Sequence, residues 1–351
     1  MLCYNYYMMR IAQIAPLWIP IPPRTYGGIE LFLSLLTEEL VGRGHEVSLF
    51  ASEDSKTKAN LIAGTEKALW TRKYLRSPHA IINRYLKMVY DRLNLFDIVH
   101  NHADFFMFPL VLGNNKVPIL TTLHRPIDAE EAKVLRSFSS INYLAISNDQ
   151  KKSAEEQNIK ILDVVYNGIN PKEYAFNNSP EDYFLYLGRL NKEKGIIAAI
   201  EIAKAADKKL VVAGNIVGPD EWNYFFREVQ PRLNSEKVSF VGEVDFNEKI
   251  KLLKNAKALL FPINRREPFG LVMIEAMACG TPVIAFNRGS VPEVIEDKKT
   301  GFIVENKEQM VEVMENISKI KRRDCRKSVE KNFTLKQMVD KYEEIYKKLT
   351  L

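Results

Sequence analysis

The sequence predicts an α/β protein made of two doubly wound domains, each with a parallel sheet at its centre. Three observations carry this. The chain has 351 residues, enough for two separate cores. Residues 10–50 run apolar stretch, Gly-Gly loop, amphipathic helix, apolar stretch, which is the order of a βαβ unit. Residues 183–214 repeat that order behind a polar segment, 171–181, that holds two prolines. The domains are therefore placed at 1–170 and 171–333, with 334–351 as a terminal helix.

Composition bounds the function. A hydrophobic fraction of 46% and a charged fraction of 27% fit a soluble globular protein. The net charge of +6 suits an anionic substrate or a weak attraction to anionic lipid, and is too small to point to nucleic acid. Cys3, Cys279 and Cys325 are too few and too scattered for a disulfide framework or a zinc site, so a reducing, cytoplasmic setting is expected. No apolar run reaches about 18 residues, so no membrane span is expected. Met1 to Met9 lacks a basic region followed by an apolar core, so it does not read as a secretory signal; Met1, Met8 and Met9 each fit as the start.

In the first domain, Arg10 to Ala15 reads as a buried parallel strand, and Pro16 to Tyr26 as a proline-rich loop. Gly27 and Gly28 open a helix running to Gly42, with apolar residues at 29, 32, 33, 36 and 40. Residues 44–50 return as a strand. The spacing G-x-G-x-x-G is missing, so no nicotinamide cofactor is expected. A glycine pair at a helix start admits a phosphate or simply makes a tight turn. Segments 16–26 and 52–80 read as loops that shape the acceptor side.

Residues 67–92 carry seven Lys/Arg against one acid, with Trp70, Tyr74 and Leu75 interleaved. Such a piece can lie on a membrane surface or meet an anionic acceptor, but an ordinary surface helix with a solvated basic face is the preferred account. Residues 97–100, 117–122 and 144–147 are further strands, and Ser147 begins a helix to Gln157. His124 falls just past a strand end, where ligand-binding residues of open α/β sheets collect. His100 and His102 are read as structural, and none of the three has metal-ligand spacing.

In the second domain, residues 164–171 read as a strand running into a turn, and Tyr183 to Leu187 as a buried strand. Gly188 to Gly195 is a loop bearing Arg189 and Lys194, two cations beside the start of a helix at 196–206, an arrangement that suits a diphosphate. Strands follow at 210–214 and 238–242. Residues 257–282 are the most informative stretch. Ala258 to Phe261 is a short strand, Glu267 lies on the loop above it, and Gly270 to Cys279 is helical with Gly280 and Pro282 as its stop. The amides of Phe269, Gly270 and Leu271 sit at that helix start and form a site for an anion. Glu275 lies about 7–8 Å further along the axis. Amides for a phosphate, with a carboxylate on either side for hydroxyls, are what a sugar nucleotide needs. Strands at 283–286 and 300–304 close the set. The terminal stretch has apolar residues at 335, 338, 339, 342, 345, 346 and 349, one helical face.

E-P-F-G-L-V-M-I-E, two glutamates with seven residues between them, followed by E-A-M-A-C-G-T-P-V-I-A, resembles the signature of the retaining GT-B glycosyltransferases, the large glycogen-synthase-like family 4. P-x-x-Y-G-G-I-E with R-G-H-E-V, T-L-H, and G-R-L-x-x-E-K-G resemble further blocks of that family, so the likeness covers nearly the whole chain. It implies two Rossmann-like domains facing a cleft, with the terminal helix crossing back to the first. It implies that Arg189 and Lys194 neutralise charge on the leaving nucleotide, that Glu267 and His124 address the donor sugar, and that Glu275 holds the ribose. It places Gly27 and Gly28 against the diphosphate and Val244 beside the base. The activity implied is metal-independent transfer of a hexose, glucose or mannose, from a nucleotide diphosphate sugar with retention of configuration. A UDP-sugar is favoured and a GDP-sugar comes next. No other cofactor is expected. The acceptor, a small molecule, lipid or glycan, is left open. Three rival readings stand beside this one. A retaining glycosidase also uses two carboxylates but needs no phosphate cradle. A non-hydrolysing sugar-nucleotide epimerase shares the architecture, and a two-domain binding protein shares the shape.

Overall fold

A computed structural model of the chain describes residues 8–72, 74–111, 116–233 and 236–351; Met1, Cys3 and Lys73 lie outside them. Two compact units emerge. Unit 1 is the chain up to Gly168 together with Leu335–Leu351, and unit 2 is Ile169–Thr334.

Unit 1 is built on β1 (Arg10–Ile14), β2 (Glu46–Ser52), β3 (Asn60–Thr65), β4 (Ile98–Asn101), β5 (Ile119–Thr122), β6 (Asn142–Ala145) and β7 (Ile161–Val164). They form one parallel sheet in the order β3-β2-β1-β4-β5-β6-β7. Side chains alternate across a strand, and the central strands are buried on both faces, so they carry apolar residues to either side, with Gln13, His100, Asn101, Thr121 and Thr122 as buried polar exceptions. Ile11, Ile98 and Leu120 face one core, which also takes Phe32, Leu33 and Leu36 from the helix Gly28–Gly42. Ala12, Ile14, Val99 and Ile119 face the other, covered by Tyr85, Leu86 and Val89 of the helix Pro78–Tyr90. The helix Leu335–Thr350 joins the first core through Met338, Val339, Tyr342, Ile345 and Tyr346, with Leu335 and Leu349 at its margin.

Unit 2 holds β8 (Phe184–Leu187), β9 (Leu210–Ala213), β10 (Val238–Gly242), β11 (Leu259–Phe261), β12 (Val283–Phe286) and β13 (Gly301–Val304). The order is β10-β9-β8-β11-β12-β13, again parallel. In each sheet the chain winds outward from a central strand, then returns to that strand's other side. The reversals fall between β1 and β4 and between β8 and β11, and the carboxyl ends of strands at such points are where ligands of open α/β sheets bind.

The structure departs from the sequence reading in places. Segment 52–80 is not all loop, because Asn60–Thr65 adds β3 at the sheet edge. Its Gly64 lies under the ring of Tyr85, where a Cβ would come within 2.3 Å of the ring, so the position shows no apolar side chain to reveal a strand. The strand expected at 164–171 is Ile161–Val164 instead: Val165 still donates to Ala145, but Ile169 donates to Phe333 in unit 2. Helices at Phe246–Asn255, Lys307–Met314 and Arg322–Asn332 were not anticipated. The first carries a capping box, Asp245 with Glu248, and the second is capped by Asn306. Of the basic stretch 67–92, Pro78–Tyr90 is a surface helix that turns Ile82, Tyr85, Leu86 and Val89 inward, while Trp70 and Tyr74 stay exposed. Among the described residues no helix is long and apolar enough to cross a membrane.

Candidate active site

The loop after β8 is held in place before any side chain reaches outward. Gly195 ends it with φ 77°, and a Cβ there would lie 1.9 Å from the Pro262 carbonyl, so only glycine fits. The Tyr186 hydroxyl donates to the Arg189 carbonyl at 2.9 Å, and Asn191 Oδ1 accepts from the Lys194 amide at 3.0 Å. The loop after β11 is clamped from the loop after β12: the Ser290 amide donates to the Glu267 carbonyl and its hydroxyl to the Phe269 carbonyl, both at 2.9 Å.

These two loops meet because β8 and β11 are neighbours. Lys194 Nζ lies 2.6 Å from Glu267 Oε2, and both side chains are largely buried. Arg189 does not join that pair. Its Nε lies 2.7 Å from Glu221 Oε1 as an ion pair without hydrogen-bond alignment, and Glu221 accepts from Asn191 Nδ2 and from the Val217 amide. Gly270 caps the helix Leu271–Ala278 in the left-handed conformation, which puts Leu271 at its first position. Phe269 has its ring buried, 5.9 Å from that of Phe333, so its backbone is what it offers a ligand.

Glu275, on that helix, is buried and doubly held. It accepts from the Tyr174 hydroxyl at 3.0 Å and from Lys249 Nζ at 2.5 Å. Burial, and then the Glu275 charge, keep the Tyr174 phenol well above its usual range, so it stays a donor. Lys249 lies on the helix Phe246–Asn255, which starts two residues after Val244; Val244 itself is half-buried on the loop leaving β10. Tyr174, Lys249 and Glu221 were missed from sequence. Only Lys249 had a local signal, the D-x-x-E cap that starts its helix.

In unit 1 His124 stands two residues past the end of β5, and Gly27 and Gly28 open the helix whose Phe32 ring lies 4.9 Å from that of His124. Gly27 caps the helix that begins at Gly28, and a Cβ on Gly27 would lie 2.8 Å from Pro23 Cβ and 2.9 Å from Glu30 Oε2. Glu30, missed from sequence, is buried; that burial pushes its carboxyl up to about 7 against the help of its own backbone amide. Asp104 stands nearby in an uncommon backbone conformation, φ 52°, with Arg125 on its carboxylate at 3.1 Å.

His124 Nε2 is 2.9 Å from His102 Nδ1. Burial, then the Arg125 charge, lowers His124 from 6.5 to about 3, and burial holds His100 and His102 well below their usual value, so all three rings are neutral near pH 7. His100 and His102 are buried, as a structural role requires, but His102 also touches the predicted site residue. Among the described residues no group of three or more His, Cys, Asp or Glu is arranged to hold a metal ion.

The chain matches two family models: Glycosyl transferases group 1 over residues 170–333 and Glycosyltransferase Family 4 over residues 26–173. It is 28% identical over 348 residues to a glycogen synthase of Mycobacterium tuberculosis, covering 84% of this chain and 81% of the relative. Among solved structures it resembles sucrose-phosphate synthase of Thermosynechococcus elongatus, with a TM-score of 0.81, 18% identity, and 97% and 98% of the two chains covered. It also resembles HepE of Anabaena in complex with UDP-glucose, with a TM-score of 0.76, 16% identity, and coverage of 97% and 100%. At those identities the structural likeness speaks for the fold.

Proposed function

Since this chain belongs to the GT-B glycosyltransferases, we propose that it moves a hexose, glucose or mannose, from a nucleotide diphosphate sugar to an acceptor with retention of configuration. Both matching models describe glycosyl transfer, which favours this over the epimerase reading. A UDP-sugar is the first choice of donor and a GDP-sugar the second; the complex of HepE with UDP-glucose supports the order.

The observation that carries the reading is the Lys194–Glu267 pair, a cation and a carboxylate 2.6 Å apart at the reversal point of the unit 2 sheet. When the glycosidic bond to the diphosphate breaks, negative charge grows on the leaving phosphate. Fixed donors that strengthen with that charge lower the barrier. Lys194 and Arg189 supply two, and the amides at the start of the helix Leu271–Ala278 supply the dipole end. Glu267 accepts hydrogen bonds from hexose hydroxyls, and Glu275, held by Lys249 and Tyr174, from the ribose. In unit 1, His124 addresses the transferred sugar and Gly27 and Gly28 leave room for the diphosphate. Neither glutamate is assigned as a covalent nucleophile: Glu267 is ion-paired with Lys194 and Glu275 with Lys249, and a front-face displacement guided by the leaving phosphate fits better.

A thermal-shift screen of UDP-, GDP- and ADP-sugars tests the donor, because a ligand that binds only the folded chain raises its stability. A rise of several degrees with UDP-glucose or GDP-mannose is expected. No shift with any nucleotide sugar, or with the free nucleoside diphosphates, sinks the reading. Once an acceptor is found, the anomeric configuration of the product, read by NMR, tests retention.

A further inference from the structure

His124 ends a buried chain of hydrogen bonds whose direction can be worked out atom by atom. Gln13 Nε2 donates to the Tyr346 hydroxyl at 3.2 Å, so Gln13 Oε1 is the atom that meets His102 Nε2 at 2.8 Å. An amide oxygen only accepts, so His102 Nε2 carries the proton. Neutral His102 then has a bare Nδ1. That nitrogen lies 2.9 Å from His124 Nε2, which must therefore be the donor. Neutral His124 is left with an unprotonated Nδ1, and among the described residues that atom has no hydrogen-bond partner. The far end closes consistently: the Tyr346 hydroxyl donates to His100 Nδ1 at 2.6 Å, and His100 Nε2 donates to Thr122 Oγ1 at 2.8 Å. Gln13, His100 and His102 are each at most 1% exposed, so water cannot compete for these bonds.

We propose that His102 and Gln13, anchored by Tyr346 of the terminal helix, are positioning residues that hold His124 as the Nε2–H tautomer. The unpartnered Nδ1 is then an acceptor that takes a hydrogen bond from a hydroxyl of the transferred hexose. The same lone pair repels a carboxylate, so the relay selects a neutral hexose over a uronate at the position it meets. The substrate clause rests on the reading of His124 as sugar-facing; the tautomer clause does not. The principle is that of a ring nitrogen whose state is set by the bond its other nitrogen makes.

Long-range ¹H–¹⁵N correlation of the histidine rings in the full chain, without ligand, tests the relay. The expected result is His124 protonated on Nε2 alone. His124 protonated on Nδ1 overturns the proposal, whatever the enzyme binds. In His102→Phe the partner is gone and His124 should populate both tautomers; in His102→Asn, whose side-chain oxygen can take the place of Nδ1, the Nε2–H form should return. An unchanged tautomer in His102→Phe also overturns it. Affinities for UDP-glucose and for UDP, measured by calorimetry, give the second readout. His102→Phe should lose about 10-fold or more in UDP-glucose affinity with UDP affinity unchanged, and His102→Asn should recover most of it. If His124→Ala binds UDP-glucose as the parent does while the tautomer result holds, the sugar-facing reading falls and the relay stands.

Discussion

Lys194 Nζ and Glu267 Oε2 lie 2.6 Å apart although 73 residues separate them in the chain. The Glu267 side chain is only 9% exposed, so its charge is compensated mainly by that lysine. Lys194→Ala should therefore act twice. Turnover should fall by about 10²-fold or more, because a donor to the leaving phosphate is lost. Stability should fall by about 1–3 kcal/mol, because a carboxylate is left without its partner. Glu267→Gln should cost less stability. Steady-state kinetics and denaturant unfolding separate the two effects; full turnover in Lys194→Ala contradicts the proposed role.

Arg189 should behave differently. Its partner Glu221 is mostly buried but keeps two further donors, Asn191 Nδ2 and the Val217 amide, so losing the arginine should change stability by less than about 1 kcal/mol. Arg189→Ala should still lower turnover by about 10²-fold. A variant that loses stability and keeps its rate would reverse the assignment.

Glu275 tests the neighbouring subsite. Lys249→Met leaves a buried carboxylate with Tyr174 as its partner. A loss of about 3 kcal/mol is expected by urea unfolding, since breaking one side of a buried pair is costly. Pairing it with Glu275→Gln should recover much of that loss. If the single change is neutral, the pair does not hold the helix.

Glu30 predicts a pH dependence. Burial raises its carboxyl from 4.5 to about 7 in the folded state. Between those values the native state binds the proton and the unfolded state releases it. Stability from this group is therefore full below about pH 4.5 and is lost as pH rises through 7. At about 1.4 kcal/mol for each pH unit between the two values, the ionised carboxylate costs about 3 kcal/mol at pH 8. Glu30→Gln should be more stable than the parent at pH 8 and equal to it at pH 4. Chemical unfolding at the two pH values checks this; parallel curves would place Glu30 in water.

Local order was legible in the sequence, and pairing was not. The run Ala258 to Phe261, the Pro-Phe-Gly loop and the helix to Ala278 could be read from periodicity and breakers alone, as could the loop from Gly188 to Gly195. That Lys194 would meet Glu267 depends on β8 lying beside β11, with Leu185 opposite Leu259, and strand order leaves no mark on local periodicity. The partners of Glu275 and Arg189 were hidden for the same reason: Tyr174 is 101 residues from Glu275 in the chain. His102 was read by itself as a core histidine, because nothing in H-N-H-A-D shows that one ring will lean on another at the end of β5. Strand β3 was lost for a local reason, a glycine where its side chain would have met Tyr85.

The terminal helix sets an order of birth. Unit 2 is one unbroken piece, Ile169–Thr334, whereas unit 1 borrows Leu335–Leu351. A ribosome reaches Met338, Tyr342 and Tyr346 only after it has made every residue of unit 2. Until then the apolar surface of Phe32, Leu36 and Leu120 has no roof. The half begun first is thus completed last, and a nascent chain halted before residue 335 would carry a whole second lobe but an unfinished first one.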